Sequence, residues 1–233
     1  SVARGGLRRA HTLYLKALEA EPNNSTIRIS YALICASLGL WKEAAAACRE
    51  VLEGEPEDVV AAAACSTLAE ALRADGKPEE AARFVREFLD RHHSKTAQTV
   101  GYYELATSLA ESGEDLDSAL DYAGRALSSA PDELKPYPLA ALGWVHYKRR
   151  EFDRAIDCLR RSSERAAAPT TLHHLGMAYL AAGKPEEAKA AFTRAKTVAP
   201  GGALEERMMQ QVRSNLRLVE KVGGKKAPAS RKP

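Results

Sequence analysis

Small and apolar residues recur along this chain with the spacing of one face of an α-helix. An alanine starts each occurrence, and the residues four and seven positions later are mostly small or apolar, so all three lie on the same side of a helix. The alanines are Ala10, Ala44, Ala81, Ala119, Ala155 and Ala188, separated by 34, 37, 38, 36 and 33 positions. Regular recurrence at this interval indicates an internal repeat built from helices. The pattern therefore predicts an all-α chain.

The hexapeptide GKPEEA occurs twice and predicts how one helix leads into the next. It stands at Gly76–Ala81 and at Gly183–Ala188. Glycine just after a helix accepts a positive φ, and proline is favoured at the first position of the following helix. The two glutamates then occupy a first turn, where negative charge is favourable. Each copy is therefore predicted to be a corner between two helices.

A second apolar segment with helical periodicity precedes each full-unit alanine, so each unit is predicted to be a helical hairpin. In this respect the chain resembles the tetratricopeptide repeat (TPR) family, whose unit of about 34 residues has small residues where two helices cross and a proline after the second helix. The last unit carries the most family positions: Leu172, Leu175, Gly176, Tyr179, Gly183, Ala188, Phe192, Ala195 and Pro200. The resemblance implies an α-solenoid of helical hairpins wound into a right-handed superhelix.

The repeat register divides the chain into consecutive segments. Residues 1–22 are predicted to be the second helix of a preceding, truncated unit, which favours a longer parent protein. Residues 201–222 have one apolar stripe and are predicted to form a capping helix, the alternative being an amphipathic membrane helix. Residues 223–233 are predicted to be a disordered basic tail. Between these segments, five units are predicted at about 23–57, 58–94, 96–133, 134–167 and 168–200.

Charge and hydropathy narrow the classes of partner. The net charge is +3, but the last twelve residues contain four bases and no acid, which leaves about −1 for residues 1–221. A body of this charge lacks the basic footprint of a nucleic-acid-binding domain. The chain has no apolar run long enough to span a membrane and no signal-peptide pattern at its start. We therefore expect a cytoplasmic protein that binds neither nucleic acid nor a membrane core.

Catalytic, metal and cofactor sites are not expected. The cysteines Cys35, Cys48, Cys65 and Cys158 lie in apolar segments without the spacing of a metal site, so they are predicted to be small buried residues. Adjacent histidines on a helix point about 100° apart, which argues against His173 and its neighbour sharing one metal ion. The glycine-containing turns lack the spacing of a phosphate loop. We therefore expect a protein that is not an enzyme and has no cofactor.

The family resemblance implies where a partner would bind. In the family the first helices of successive units line a concave groove, and aromatic residues at the corresponding positions here become frequent toward the C-terminal half. Large aromatic side chains are typical of binding hot spots. The alternative is that several of them pack within the core. The predicted partner contacts are Arg73, Tyr103, Tyr137, Trp144, Tyr147, Lys148, His173 and Met177.

The resemblance also implies a function and a kind of partner. Family members that hold acidic C-terminal tails use lysine and asparagine at groove positions that are occupied here by Ile29, Leu33, Ser66, Glu70 and Tyr103. We therefore expect a non-catalytic scaffold or adaptor that binds an apolar or aromatic-containing peptide, helix or protein surface. Bacterial members serve pilus assembly, secretion, polarity or regulation, so the partner could be an assembly component or a small GTPase. The alternative function is a structural array that associates with itself.

Overall fold

The computed structural model describes residues 2–198 and 210–217, which are helical apart from short connections. No strand occurs within these ranges. The helices are α1 Val2–Ala20, α2 Ser25–Leu38, α3 Trp41–Glu53, α4 Asp58–Ala74, α5 Pro78–Arg91, α6 Lys95–Ser112, α7 Leu116–Ser129, α8 Pro136–Lys148, α9 Phe152–Arg165, α10 Pro169–Ala181, α11 Pro185–Thr197 and α12, residues 210–217. The all-α prediction is confirmed.

The two GKPEEA segments form the corners that the sequence predicts. Gly76 has φ 81° and Gly183 has φ 73°, and α5 and α11 begin at the prolines two residues later. After α4, the Gly76 N–H donates to the carbonyl of Arg73 at 3.0 Å, and the Lys77 N–H donates to the carbonyl of Leu72 at 2.9 Å. These bonds satisfy carbonyl groups that the end of a helix leaves unpaired. The chain therefore turns sharply enough for α5 to fold back on α4.

Helices pair in the order in which they follow one another. The hairpins are α2–α3, α4–α5, α6–α7, α8–α9 and α10–α11, and α1 packs against α2. In the hairpins, the repeated alanines Ala44, Ala81, Ala119, Ala155 and Ala188 are each 0% exposed. Small side chains at these positions allow the helix backbones to approach closely. The regular alanine spacing in the sequence therefore marks the tight contacts of the solenoid.

Glycines in three of the first helices make the closest helix contacts. A Cβ atom built on Gly176 of α10 would lie 2.5 Å from Cε1 of Phe192 on α11. A Cβ on Gly143 of α8 would lie 2.6 Å from Cγ of Leu159 on α9, and one on Gly101 of α6 would lie 2.6 Å from a methyl carbon of Leu89 on α5. Each glycine thus provides the space that a large side chain of a paired helix fills.

The core continues along the stack and is closed at one end by α12. Val212 is 0% exposed and packs in a cluster with Leu172, Phe192 and the small residues of α11, while Leu216 lies half-buried against the same cluster. Residues 201–209 and 218–222 of the predicted capping segment lie outside the described residues, as does the predicted tail at 223–233. The four cysteines, Cys35, Cys48, Cys65 and Cys158, are buried as free thiols, as the sequence predicts.

The first helices of the units approach one another, whereas the second helices lie on the opposite side. Among the described helices, α2 packs against α4, α4 against α6, and α6 against α8. In a curved stack, the helices that meet in this way form the concave side. We call this surface, formed by α2, α4, α6, α8 and α10, the inner wall.

Replacing Gly176 with alanine tests the close contact between α10 and α11. We expect Gly176→Ala to lower the free energy of unfolding by about 1–3 kcal/mol, because the added methyl group overlaps the Phe192 ring. The loss would occur although alanine favours a helix over glycine by about 1 kcal/mol. Urea unfolding followed by circular dichroism measures the change.

Gly124→Ala in α7 is the matched control, since a Cβ there would meet no atom within 4 Å. This control should keep or slightly raise stability through helix propensity alone. Equal effects of the two substitutions would contradict the packing explanation.

Candidate binding groove

The inner wall encloses a cavity of about 330 Å³ near its C-terminal half. The cavity lies between α4, α6, α10 and α12, so it joins units that are far apart along the chain. Its lining is mainly polar and includes Glu70, Arg73, Thr107, Glu111, His173 and Gln211. The curvature of the stack thus brings two predicted partner contacts, Arg73 and His173, to one site.

Arg73 is the centre of an ionic network between α4 and α6. Its Nη1 lies 2.7 Å from Oε2 of Glu104 and donates a hydrogen bond to Oγ of Ser108 at 3.1 Å, while its Nε lies 3.8 Å from Oε1 of Glu111. The side chains of Arg73 and Glu104 are only 12% and 5% exposed. A buried ion pair of this kind requires polar partners on both sides. Ser66 supplies one by donating to the other Glu104 oxygen, Oε1.

Burial and charge shift the pKa values of this network in ways that the geometry explains. Burial would lower the pKa of Arg73, but the negative charges of Glu104 and Glu111 outweigh it and raise that pKa. Burial raises the pKa of Glu111, against the opposing effects of Arg73 and Lys148. Arg73 therefore stays charged and is held within the protein, so it contributes to a binding surface mainly by fixing the positions of α4 and α6.

Tyr103 and Tyr137 form a stacked pair between α6 and α8. Their ring centroids are 6.0 Å apart with an interplanar angle of 20°. Tyr103 is half-buried, and its hydroxyl lies 3.5 Å from Oγ of Ser66; burial raises its pKa. Tyr137 is 52% exposed, which makes it the most accessible of the eight predicted contacts. The pair presents an aromatic surface on the inner wall whose position is set by the buried ring.

Trp144 lies in a second aromatic stack that joins α8 to α10. Its ring is 4.9 Å from that of Tyr147 and 3.8 Å from that of His174, at interplanar angles of 5° and 10°. The Nζ atom of Lys148 lies 5.3 Å from the Trp144 ring centroid, within the range of a cation–π interaction. Trp144 is 8% exposed, and its Nε1 is buried with no hydrogen-bond partner among the described residues. Most of its surface is therefore covered by the chain's own rings.

His173 and Met177 lie on α10 where it faces α12. His173 is 5% exposed, its ring lies 5.8 Å from the Phe192 ring, and its Nε2 lies 3.4 Å from Nδ2 of Asn215. Met177 is half-buried and packs against both the Trp144 cluster and the Phe192 cluster. Burial lowers the pKa of His173 to about 4 and that of His174 to about 3. Both rings are therefore uncharged at neutral pH.

The structure brings the predicted contacts together but leaves them unequally accessible. Tyr137 is exposed; Tyr103, Tyr147, Lys148, Met177 and Arg73 are partly covered, and Trp144 and His173 are buried. The alternative reading of the sequence, that several aromatic residues are core, describes Trp144 better than a role as the main exposed contact. The other side of that balance is Tyr137, which the same register identified.

Three residues that contribute to the site were not among the predicted contacts. Glu104 neutralises Arg73, His174 stacks on Trp144, and Gln211 lines the cavity from α12. Glu104 had a signal in the sequence, since it is a charged residue within an otherwise apolar stretch of α6, one unit after Arg73. His174 and Gln211 had none, because their roles depend on contacts between helices that periodicity does not specify.

The described residues contain no group of three or more histidine, cysteine or acidic side chains placed to hold a metal ion. None of the described helices has the length and hydropathy needed to cross a lipid bilayer.

Comparisons with known proteins support the fold. A family model described as tetratricopeptide repeat matches residues 2–59 and 140–203, and a second model of the same description matches residues 62–87. Together these matches cover more than half of the chain. The segment between residues 87 and 140 contains α6 and α7, which nevertheless pair as a hairpin. No curated protein sequence matches the chain.

Solved structures with the same fold come from distant bacterial proteins. A thermophilic TPR protein of Thermus thermophilus is 20% identical and aligns with a TM-score of 0.64, covering 83% of this chain and 99% of its own. A tetratricopeptide repeat protein from Parabacteroides merdae is 18% identical with a TM-score of 0.70, covering 93% of this chain and 79% of its own. These similarities concern the solenoid fold.

The buried ion pair predicts a large stability effect at Glu104. We expect Glu104→Ala to lower the free energy of unfolding by about 3 kcal/mol, because Arg73 would lose its closest counter-charge in a site with little solvent. The shift of the urea midpoint measures this loss.

The control is Glu164→Ala, which removes an exposed ion pair with Arg160 at 2.7 Å. Its cost should stay within about 1 kcal/mol, since solvent screens such pairs. A Glu104→Ala protein as stable as this control would mean that the inner wall does not depend on the Arg73 network.

Proposed function

This chain belongs to the tetratricopeptide repeat family, and we propose that it is a non-catalytic scaffold whose inner wall binds a segment of another protein. Repeats of this family form protein-interaction scaffolds in general. The finer proposal concerns the bound segment, which would carry apolar or aromatic side chains and lie along α6, α8 and α10. The observation that carries it is the Tyr103–Tyr137 pair, in which a half-buried ring positions a 52% exposed one on the inner wall.

Electrostatics on the inner wall support an apolar rather than an acidic ligand. Arg73 is already paired with Glu104, and Lys148 lies over the Trp144 ring. His173 and its neighbour are uncharged at neutral pH, as shown above, so they add no positive charge. A ligand carboxylate would also meet Glu111 at the cavity. An acidic tail would therefore gain little, whereas an aromatic or aliphatic side chain would bury surface against Tyr137.

The classes of partner that the family resemblance implies fit this mode of binding. An assembly component or a small GTPase would dock by inserting a helix or loop whose apolar side chains reach the rings of α6 and α8. Interfaces of this kind concentrate their binding energy in a few aromatic residues. We therefore place the main contact at Tyr137, with Tyr147 and Met177 as partly covered neighbours.

Tyr137→Ala tests the inner wall as the binding surface. The partner is first identified by affinity capture from the native cell, and its affinity is then measured with purified proteins. We expect Tyr137→Ala to weaken binding by about tenfold or more, the effect of truncating an aromatic hot spot. Circular dichroism should be unchanged, because the ring is more than half exposed.

Tyr122→Ala is the matched control for this experiment. Tyr122 on α7 also stacks on a tyrosine, Tyr102, with ring centroids 5.9 Å apart at an angle of 20°, but it belongs to the second helix of its unit. This control should bind like the parent protein. If both variants bind equally well, the partner uses another surface and the proposal is wrong.

Self-association is a second candidate function, and α1 carries the observation that favours it. Leu13 and Leu15 on this helix are 58% and 40% exposed, which is unusual for large aliphatic side chains. A second copy that covered these leucines would extend the stack of helices. Burying one leucine of this kind is worth about 1.5–3 kcal/mol.

Sedimentation velocity tests this second candidate. We expect the sedimentation coefficient to rise with protein concentration and the rise to disappear in Leu13→Glu. Leu33→Glu is the matched control, because Leu33 is 48% exposed but lies on α2. A monomer at all concentrations would remove self-association from consideration and leave the groove proposal untouched.

A further inference from the structure

The short helix α12 is docked on the C-terminal end of the inner wall through an apolar row. Val212 and Leu216 are four positions apart and therefore lie on the same side of the helix. Val212 is 0% exposed and contacts the cluster that contains Leu172 and Phe192, and Leu216 is half-buried beside it. The chain itself thus shows that α10 and α11 present a site for an aliphatic residue from another helix.

A row of carboxamide side chains lies next to this apolar row and faces the groove. Gln211 and Asn215 are also four positions apart and each precedes one of the apolar residues. Gln211 lines the cavity that Arg73 and Glu111 share, and Nδ2 of Asn215 lies 3.4 Å from Nε2 of His173. Because burial keeps His173 uncharged, its Nε2 can accept a hydrogen bond from a neutral donor. The contact surface on α12 is therefore half aliphatic and half hydrogen-bonding.

The docked part of α12 is held by few interactions compared with the other helices. One fully buried aliphatic side chain, one half-buried one and a long hydrogen bond fasten its described part. Burial of a valine and part of a leucine contributes about 3 kcal/mol, and an eight-residue helix is marginal on its own. Segments with so little buried surface open locally at lower free energy than a protein's core.

We propose that α12 is a displaceable occupant of the groove, and that the partner of this groove is an amphipathic helix with the same two rows of side chains. Such a helix carries aliphatic residues at i and i+4 and carboxamide or hydroxyl residues at i−1 and i+3. It binds by replacing α12 against Leu172, Phe192 and His173. The inference rests on the proposed function, since it specifies the partner and the regulation of the same inner wall.

Displacement makes the partner's affinity depend on how often α12 is open. A ligand that needs the open state binds more weakly by the fraction of molecules that are open. Since α12 is part of the same chain, its effective concentration at the groove is high, and a free copy of the same helix competes poorly with it. Weakening α12 within the chain should therefore strengthen the binding of a helix added from outside.

The test uses the full chain and a fluorescein-labelled peptide with the sequence of residues 203–222. In Val212→Asp the new carboxylate would be buried against Leu172 and Phe192, which drives α12 out of its site. Ser214→Asp adds the same charge at an exposed position of α12 and is the matched control. Fluorescence anisotropy measures peptide binding, and circular dichroism verifies folding.

We expect the Val212→Asp protein to bind the peptide at least tenfold more tightly than the parent chain does. The Ser214→Asp protein should bind it as weakly as the parent, and a peptide that itself carries Val212→Asp should not bind to any of the three proteins. A folded Val212→Asp protein that fails to bind the peptide would overturn the inference. So would loss of helical structure throughout the Val212→Asp protein, because α12 would then be an integral part of the fold.

Hydrogen exchange on the parent chain gives a second, independent answer. Amides of residues 212–217 should exchange at least tenfold faster than the protected amides of α10 and α11, because α12 opens without them. Equal protection of the three helices would overturn the inference. Its failure leaves the Tyr137 experiment unaffected, whereas loss of the groove proposal would show as partner binding that is insensitive to Tyr137 while the peptide still binds.

Discussion

The architecture depends on how closely neighbouring helices can approach. Where α10 crosses α11, the space that a methyl group on Gly176 would need is already filled by the Phe192 ring. Similar contacts join Gly143 to Leu159 and Gly101 to Leu89, and the repeated alanines lie buried in the hairpins. Larger residues there would push the hairpins apart and change the angle from each unit to the next. The curvature of the inner wall, and with it the groove, follows from these small residues.

The inner wall uses much of its own chemistry to hold its shape. Arg73 and Glu104 neutralise each other between α4 and α6, and the rings of Trp144 and His174 cover each other between α8 and α10. These contacts position the groups that remain accessible, above all Tyr137. Because buried polar groups must be paired, a solenoid with such a network has a more closely defined groove than one joined by apolar contacts alone. Binding specificity can then come from residues that never touch the ligand.

The sequence predicted the features that depend on neighbours within one unit. The positive φ of Gly76, the helix start at Pro78 and the burial of Ala81 all follow from a few adjacent residues, and the structure confirms them. The accessibility of groove side chains depends instead on contacts between units. Periodicity correctly assigned Trp144 to the face of α8 that looks along the inner wall, but it gave no sign that His174, thirty residues later, would cover the ring. The limits of the predicted units stay predictions.

The Trp144 stack has a consequence for how changes in the solenoid can be observed. Its indole ring belongs to α8 and lies 3.8 Å from the imidazole ring of α10, so it spans the boundary between two successive units. Face-to-face contact at this distance is lost after a small rotation of one unit relative to the next, well before the hairpins separate. Indole emission is sensitive to a neighbouring ring and to water. The chain therefore carries a built-in optical gauge of its own bending, at the place where a guest molecule would strain it most.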